Sequence, residues 1–432
     1  MFEIGTDLFP LCAAVLSSLS CALLGNFLVL RRMSLMGDAI SHAVLPGLVI
    51  AFLIASSRDP LVMMLGAGIA GVATVVLVEG VKRLGRVEPG AAMGVVFSVL
   101  FALGVLLIER ASARHVDLDA SCVLHGQLQT LVWWDADRAR TLGELWSVRT
   151  LEAVPRQVWT LLAVCGVSLG FVTIFFKELR ISAFDPALAT TQGIHAGGMH
   201  YALMILVAGA TVASFEAVGS ILVIAMLICP AATARLLTDR LGSQLLWSAA
   251  LAVLTAVLGY FGASVVPGAL GVAPVNAAGS MAVVAGAMLM VAIVGAPRHG
   301  VVTRVLRRRS LARRVALDDL LAALYRAEEE GRHAVGIEPL RPLFVGRPLR
   351  GTISLGVSRG LVRRDGDGLG LTELGREDAR EVVRRHRLWE HYLVDRAGLA
   401  PDHVHDPAEM LEHLGLSPSR GPERDPHGRS IP

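Results

Sequence analysis

Up to Pro297 the chain is a succession of apolar runs of about 20 residues separated by short polar breaks, and after Arg298 that rhythm stops. A helix of that length crosses a hydrocarbon layer of about 30 Å. The runs fall at 8–30, 34–56, 61–81, 91–109, 157–176, 199–213, 217–233, 245–265 and 275–295. The pair 199–233 reads equally as one interrupted span, so the pattern predicts eight or nine crossings. From Arg298 the chain is polar, rich in Arg and broken by Gly and Pro. The shift divides it into a transmembrane domain (1–298), a basic linker (299–312) and a polar domain (313–432).

The polar domain has its own periodicities. "LARRVALDDLLAALYRAEEEG" repeats leucine at helical spacing. "RGLVRRDGDGLGLTELG" reads as strand, turn, strand, the outline of a winged-helix wing. The expected fold is therefore all-α and polytopic in the membrane, with a small α+β winged-helix-like and helical domain attached.

Composition agrees with that division. Of 432 residues, 53% are hydrophobic and 18% charged, against about a quarter charged in ordinary soluble domains. The net charge of +3 says little about partners. No Lys or Arg occurs in the first 30 residues, so the basic start of a signal peptide is missing and Leu8 to Leu30 reads as the first span. The five cysteines are scattered, mostly in apolar runs, and read as small buried hydrophobes. Arg31/Arg32, Lys82/Arg83/Arg86, Lys177/Arg180, Arg235/Arg240 and the Arg-rich exit after 297 all fall on one side if the N-terminus is outside. By the positive-inside rule that side is cytoplasmic, and with nine crossings so is the polar domain. The long outer loop 110–156 carries Trp133, Trp134 and Trp146, which suit contact with membrane lipid or with an external partner.

Two places put ionisable groups where hydrocarbon is expected. In "RRMSLMGDAISHAVLPG", Asp38 and His42 stand four residues apart and share a helix face. Such residues are costly at membrane depth unless they meet a partner or a cavity. A carboxylate and an imidazole together suit Mn²⁺, Fe²⁺ or Zn²⁺. The plainer reading makes Asp38 a helix cap and His42 a core histidine. Gly37, Pro46 and Gly47 are expected to interrupt the helix near the pair. Glu216, beside Gly219, either lines the same path or marks the wet outer end of a short helix. In the polar domain, His386 and Glu390 are i, i+4, while Glu409, Glu412 and His413 are i, i+3, i+4 and are expected to point one way. His405 sits just before that second helix, which is expected to start near Pro407. No GxxxxGK[ST] phosphate loop occurs, so no nucleotide is expected to bind this chain, and it is not expected to act as an enzyme.

"RRMSLMGDAISHAVLPG", "FEAVGSILVIAMLICPAATA", "VEPGAAMGVVFSVLFALGVLL" and "VDLDASCVLHG" resemble the membrane permease subunits of bacterial ABC importers for manganese, zinc and iron. The resemblance covers about residues 5–298. It implies a bacterial inner-membrane location, a path between two permease subunits (two copies or a related pair), and Asp38 and His42 as transient metal ligands. It also implies a separate ATP-binding subunit and an external metal-binding protein. The stretch "FDPALATTQGIHAGGM" matches the short cytoplasmic helix that couples to the ATPase, which puts Phe184, Asp185, Pro186, Ala189 and Gly193 at that contact. His195 and His200 flank it and read as structural.

From Leu317 onward, "HRLWEHYLV", "VHDPAEMLEH" and "DPHGRSIP" resemble the iron- and manganese-dependent repressors of the diphtheria-toxin-repressor family. That resemblance implies one metal site from Asp319, Glu409, Glu412 and His413, and a second or adjoining one from His386, Glu390 and His405. Oxygen ligands at 319 and 409, where iron-type members carry sulfur, favour Mn²⁺ over Fe²⁺ or Zn²⁺. The DNA reader departs from the pattern. "RPLRGTISLGVSRG" holds three glycines, each unfavourable in a helix by about 1 kcal/mol, and "VGIEPLRPLFVG" makes a poor first helix. Three whole-chain readings follow: an ATP-driven metal importer subunit with a fused sensor, a membrane-tethered metal-dependent transcription regulator, and a secondary metal transporter. Eight or nine spans exceed what an anchor needs, which favours the first.

Overall fold

The computed structural model describes residues 4–55, 60–112, 128, 131, 154–269, 271, 275–344, 348–366, 368–413 and 423–432. The tryptophans of the outer loop and the "VDLDASCVLHG" motif lie outside them. The chain forms two compact units, Met1–Thr303 and Arg304–Pro432.

The first unit is helical throughout. Its elements are α1 (Ile4–Leu30), α2 (Leu35–Ala55), α3 (Pro60–Gly85), α4 (Pro89–Ser112), α5 (Arg156–Ile174), α6 (Phe176–Phe184), α7 (Pro186–Thr191), α8 (Ala196–Leu237), α9 (Leu241–Ala269) and α10 (Ala277–Gly295). Eight helices among the described residues are long and apolar enough to cross a membrane. Many of their leucines and valines remain exposed, such as Val95, Val99 and Leu106 on α4, as expected where lipid replaces water. The centre is α1 against α8, where Leu24, Phe27, Leu203, Met204, Met226 and Leu227 are fully buried.

The two arms of α8 meet at Gly219, whose φ of 78° and ψ of 166° no β-carbon-bearing residue adopts easily. A straight helix of 42 residues would hold its ends about 63 Å apart. Instead Phe184, Asp185 and Leu188, before its start, line one groove with Asp239, Arg240 and Leu241, after its end. The chain therefore doubles back at Gly219. The outgoing arm is Ala196–Gly219 and the shorter return arm is Leu222–Leu237. The apolar stretch 199–233 is two segments, with the break a few residues later than the hydropathy minimum indicates.

Small residues set the closest approaches. A β-carbon on Gly25 would sit 1.8 Å from the Leu227 carbonyl oxygen, so α1 and the return arm touch backbone to backbone. Gly47 and Gly66 pack reciprocally between α2 and α3, each facing the other's carbonyl. This corrects the expectation that Gly37, Pro46 and Gly47 interrupt α2. The helix runs unbroken from Leu35 to Ala55, and Gly37 makes room for Leu227 instead.

The second unit begins within α11 (Val301–Glu329), so the basic stretch 299–312 is largely helix rather than an extended linker. Short elements follow: β1 (Val335–Gly336), α12 (Ile337–Leu340), α13 (Leu349–Ser358), β2 (Val362–Asp365) and β3 (Gly368–Leu371). The three strands pair antiparallel in the order β1-β3-β2, with Val362 opposite Leu371 and Asp365 opposite Gly368. The second helical pair is α14 (Glu373–Asp395) and α15 (His405–Glu412), which starts two residues earlier than Pro407. Leu317, Leu320, Leu321 and Leu324 of α11 form the core with Ile353, Val362, Leu369 and Leu371. α13 is a helix despite its glycines because packing outweighs propensity: a β-carbon on Gly356 would meet Val362 at 2.9 Å.

Candidate metal pathway and metal centre

Asp38 and His42 are brought together on α2, with Asp38 Oδ1 3.4 Å from His42 Nε2. The pair lies in the first two turns of the helix, close to its end rather than mid-span, and an acid there is favoured by the helix dipole. The His42 ring packs on Phe97 and edge-on to Phe101 of α4, at 4.8 and 5.4 Å between centroids. Both polar side chains keep partial exposure, 37% for Asp38 and 25% for His42. Glu216 stands elsewhere, three residues before the reversal. It is exposed, and Gln157 donates to its Oε1 at 3.1 Å.

Beside the α1–α2 turn is a polar network. Arg31 reaches His200 Nδ1 and donates to Ser182 Oγ, each at 3.0 Å. His200 Nε2 is 3.8 Å from Glu79, which accepts from Arg83 at 2.7 Å and from Lys82 at 3.3 Å. Glu79 is 6% exposed. The α1–α2 turn and helices α3, α6 and α8 are thus tied together at one end by polar contacts. Reasoning from the sequence missed Glu79, although a single acid in an apolar run with Lys and Arg three and four residues on is a readable signal.

Ser182 leads directly into the short segment matched to the coupling helix. Asp185 caps α7, accepting from the backbone N–H groups of Ala187 and Leu188 at 3.0 and 2.9 Å, with Pro186 at the first helical position. Phe184 and Leu188 are exposed, Ala189 is fully buried, and Gly193 turns the chain at φ 80°. Phe184, at the end of α6, and Leu188, on α7, thus leave two exposed apolar side chains beside one groove.

The second unit gathers its ionisable residues into two clusters. His386 Nε2, Glu390 Oε1 and His405 Nδ1 form a triangle with all three separations 3.0 Å. Cis donors around an octahedral ion with bonds near 2.2 Å stand about 3 Å apart, so this donor set fits a divalent cation. The other cluster is Asp319, Glu412 and His413. His413 Nε2 is 3.2 Å from Asp319 Oδ1 and 3.6 Å from Glu412 Oε1. Its buried Nδ1 lies 3.5 Å from Asp318 Oδ2, without a well-formed hydrogen bond among the described residues. Glu412 joins the clusters, since its other oxygen is 2.5 Å from His386 Nδ1. Glu409, expected in the same site, is exposed and belongs to neither cluster.

These contacts set the protonation states. Burial alone would push the His386 imidazole down, but its hydrogen bonds to Glu390 and Glu412 outweigh that and hold it above the ordinary range. Burial would push Glu390 up, yet the hydrogen bonds from His386 and His405 pull it down to about 2. Asp318 and Asp319 push His413 up to about 9 against the effect of burial. In the second cluster an imidazolium thus sits among carboxylates, the arrangement a cation would replace.

A buried latch holds the C-terminal segment to α14. Arg387, 3% exposed, donates to the Ser430 carbonyl at 2.5 Å, pairs with Glu329 and stands 3.7 Å from Asp425. α13 turns Arg350, Gly351, Ser354, Val357 and Ser358 outward. That face offers one guanidinium and no amide side chain, a sparse set for reading base edges.

The chain belongs to the ABC 3 transport family, whose pattern it matches over residues 8–135 and 148–296. Residues 372–418 match the iron dependent repressor, metal binding and dimerisation domain. It is a membrane permease-type chain with a fused repressor-type domain. Among its relatives, the manganese transport system membrane protein MntD of Bacillus subtilis is 39% identical over 298 residues, 69% of this chain and 94% of the relative. The zinc transport system membrane protein TroD of Treponema pallidum is 36% identical over 73% of this chain and 80% of its own length. A solved structure, PsaBC from Streptococcus pneumoniae in complex with Fab, superposes with a TM-score of 0.52 at 29% identity, covering 68% of this chain and 92% of the other.

Proposed function

We propose that this chain is the permease subunit of an ATP-driven importer of divalent transition metal ions, with Mn²⁺ the favoured cargo and Zn²⁺ or Fe²⁺ alternatives. The observation that carries the reading is the Asp38–His42 pair, an accessible carboxylate and imidazole 3.4 Å apart within a membrane helix of an ABC 3 family chain. One oxygen and one nitrogen are too few to hold an ion against water. A second permease subunit, another copy or a related chain, doubles the set along a shared path. Such weak, incomplete ligation suits a passing cargo. Glu216 stays a subsidiary candidate at the far end of the outgoing arm. ATP is hydrolysed by a separate subunit docked on Phe184, Asp185, Pro186, Ala189 and Gly193, and an external binding protein delivers the metal. The membrane is the bacterial inner membrane and the fused domain is cytoplasmic.

That domain would act as the sensor. His386, Glu390 and His405 would hold one ion, and Asp319, Glu412 and His413 another, the metal supplying positive charge that replaces imidazolium protons. The absence of sulfur from both sets and the oxygen ligand at Asp319 favour Mn²⁺.

The test is metal accumulation in transporter-deficient cells co-expressing the chain with its ATPase and binding protein. His42→Ala and Asp38→Asn are compared with wild type at equal membrane abundance. Uptake of one metal that collapses in both variants is the expected result. Undiminished uptake in both would refute the pathway.

A further inference from the structure

Five arginines, Arg309, Arg313, Arg314, Arg359 and Arg385, line a cavity of about 700 Å³ between α11, α13 and α14. Its floor is apolar, made by Leu317, Leu321 and Val382 from the domain core together with Leu306 and Leu355. Three carboxylates, Asp318, Asp378 and Glu381, also border it, which leaves positive charge in excess. Arg385 is held in place, 15% exposed, by a 3.3 Å hydrogen bond to the Glu381 carbonyl and a 3.9 Å approach to that residue's carboxylate. Among the described residues no ion pair engages Arg309, Arg313, Arg314 or Arg359. Guanidinium groups gathered around a partly enclosed hollow repel one another and attract anions. Their planar forks match carboxylate and phosphate oxygens, and beside a membrane the abundant anion of that kind is the lipid phosphate.

We infer that this cavity binds a phosphate-bearing headgroup, supplied by an anionic membrane lipid. The chain itself argues for that source. α11 starts six residues after α10 ends at Gly295, so its first turn lies within about 20 Å of a membrane helix end by chain length alone. Val301, Val302, Val305 and Leu306 follow one another along a single stripe of that helix and are exposed, Leu306 at 58%. Leu306 also lines the cavity, so the apolar stripe leads to the arginines. Arg304 and Arg307 fall on the other side of the helix, and Arg308, seven residues after Val301, borders the stripe. A basic helix with an exposed apolar stripe beside a membrane span lies at a lipid surface. Acyl chains run along the stripe and the phosphate sits among the guanidinium groups. A duplex nucleic acid suits the site less, since its backbone gains nothing from exposed valines. Asp318, on the cavity wall, also touches His413, so headgroup and metal act on the same turn of α11.

The experiment uses the full chain in phosphatidylcholine nanodiscs containing a minor fraction of phosphatidylglycerol. After transfer to mild detergent, the phosphatidylglycerol that remains bound is counted by native mass spectrometry. Wild type should retain it. Arg313→Gln/Arg385→Gln should retain about 25-fold less, two arginines at roughly fivefold each. Arg307→Gln/Arg308→Gln removes the same charge outside the cavity and should behave as wild type. Unchanged Mn²⁺ binding by the domain shows that both variants fold. Displacement by millimolar inorganic phosphate would keep the phosphate site and assign its occupant to the soluble pool. Equal losses in the two double variants, no retention by wild type without phosphate binding, or displacement by a short DNA duplex would each overturn the inference.

Discussion

Loading the Asp319–Glu412–His413 cluster should release protons, and the amount follows from the metal-free geometry. His413 faces Asp318 at 3.5 Å and Asp319 at 3.2 Å, which holds its imidazolium up to about 9. At neutral pH the metal-free ring is charged in about 99% of molecules, whereas a metal ligand must be neutral. One proton therefore leaves for each ion bound, and apparent affinity rises about tenfold per pH unit until pH passes about 9. From about pH 6.5 to 8 the gain is roughly 30-fold, and His386, also raised, adds to it at the joined cluster. Glu390, pulled to about 2, stays ionised and contributes no proton.

The stability of the metal-free domain should run the other way. A histidine with a raised folded value stabilises fully below its unfolded value near 6.5, and loses that contribution as pH climbs through about 9. The shift corresponds to roughly 3 kcal/mol. Isothermal titration of the full chain with Mn²⁺, in buffers of different ionisation enthalpy, counts the protons directly. His413→Gln should remove one of them and flatten the slope. Wild-type binding at this cluster with the same affinity at pH 6.5 and 8 would refute the reasoning.

Gly25→Ala should lower the melting temperature of the detergent-solubilised chain, with a cost of about 1–3 kcal/mol, because its methyl meets the Leu227 carbonyl at 1.8 Å. Gly68→Ala, with nothing within 4 Å, is the matched control and should leave the transition unmoved. Arg387→Gln strands Asp425 and Glu329 in partly dry surroundings and should destabilise the second unit by about 3–5 kcal/mol, read as faster limited proteolysis near the C-terminus. Glu79→Gln cuts the contact between α3 and His200 and should reduce uptake while leaving metal binding by the second unit unchanged. Equal loss of both activities would mark it as a folding residue.

Much of the architecture was legible because membrane segments announce themselves by length and apolarity. The wing was legible because "DGDG" between alternating residues has one easy solution, the β2–β3 hairpin. The tail clusters were readable from helical spacing, which places His386 beside Glu390, but spacing within α15 could not choose between Glu409 and Glu412. That choice depends on which side of α15 meets α14, a tertiary fact. The roles of Gly37 and Gly47 were misjudged for the same reason: a glycine that breaks a helix and one that lets two helices touch look alike until the neighbour is known. His200 has Arg31 and Glu79 as partners, 169 and 121 positions away, and no local pattern names them.

The turn at Gly219 also bears on a question of parity. On the topology proposed above, with the return arm counted as a pass, the described residues make nine traversals, an odd number, and the two termini would face different compartments. A continuous helix through position 219 would make the number even, and every later element would exchange sides, with the arginines at 235, 240 and 298 delivered to the face that bilayer electrostatics disfavour. On that topology, which ion pool the fused domain would sample, the one being drawn down or the one being filled, depends on a single left-handed residue more than 80 positions upstream of it.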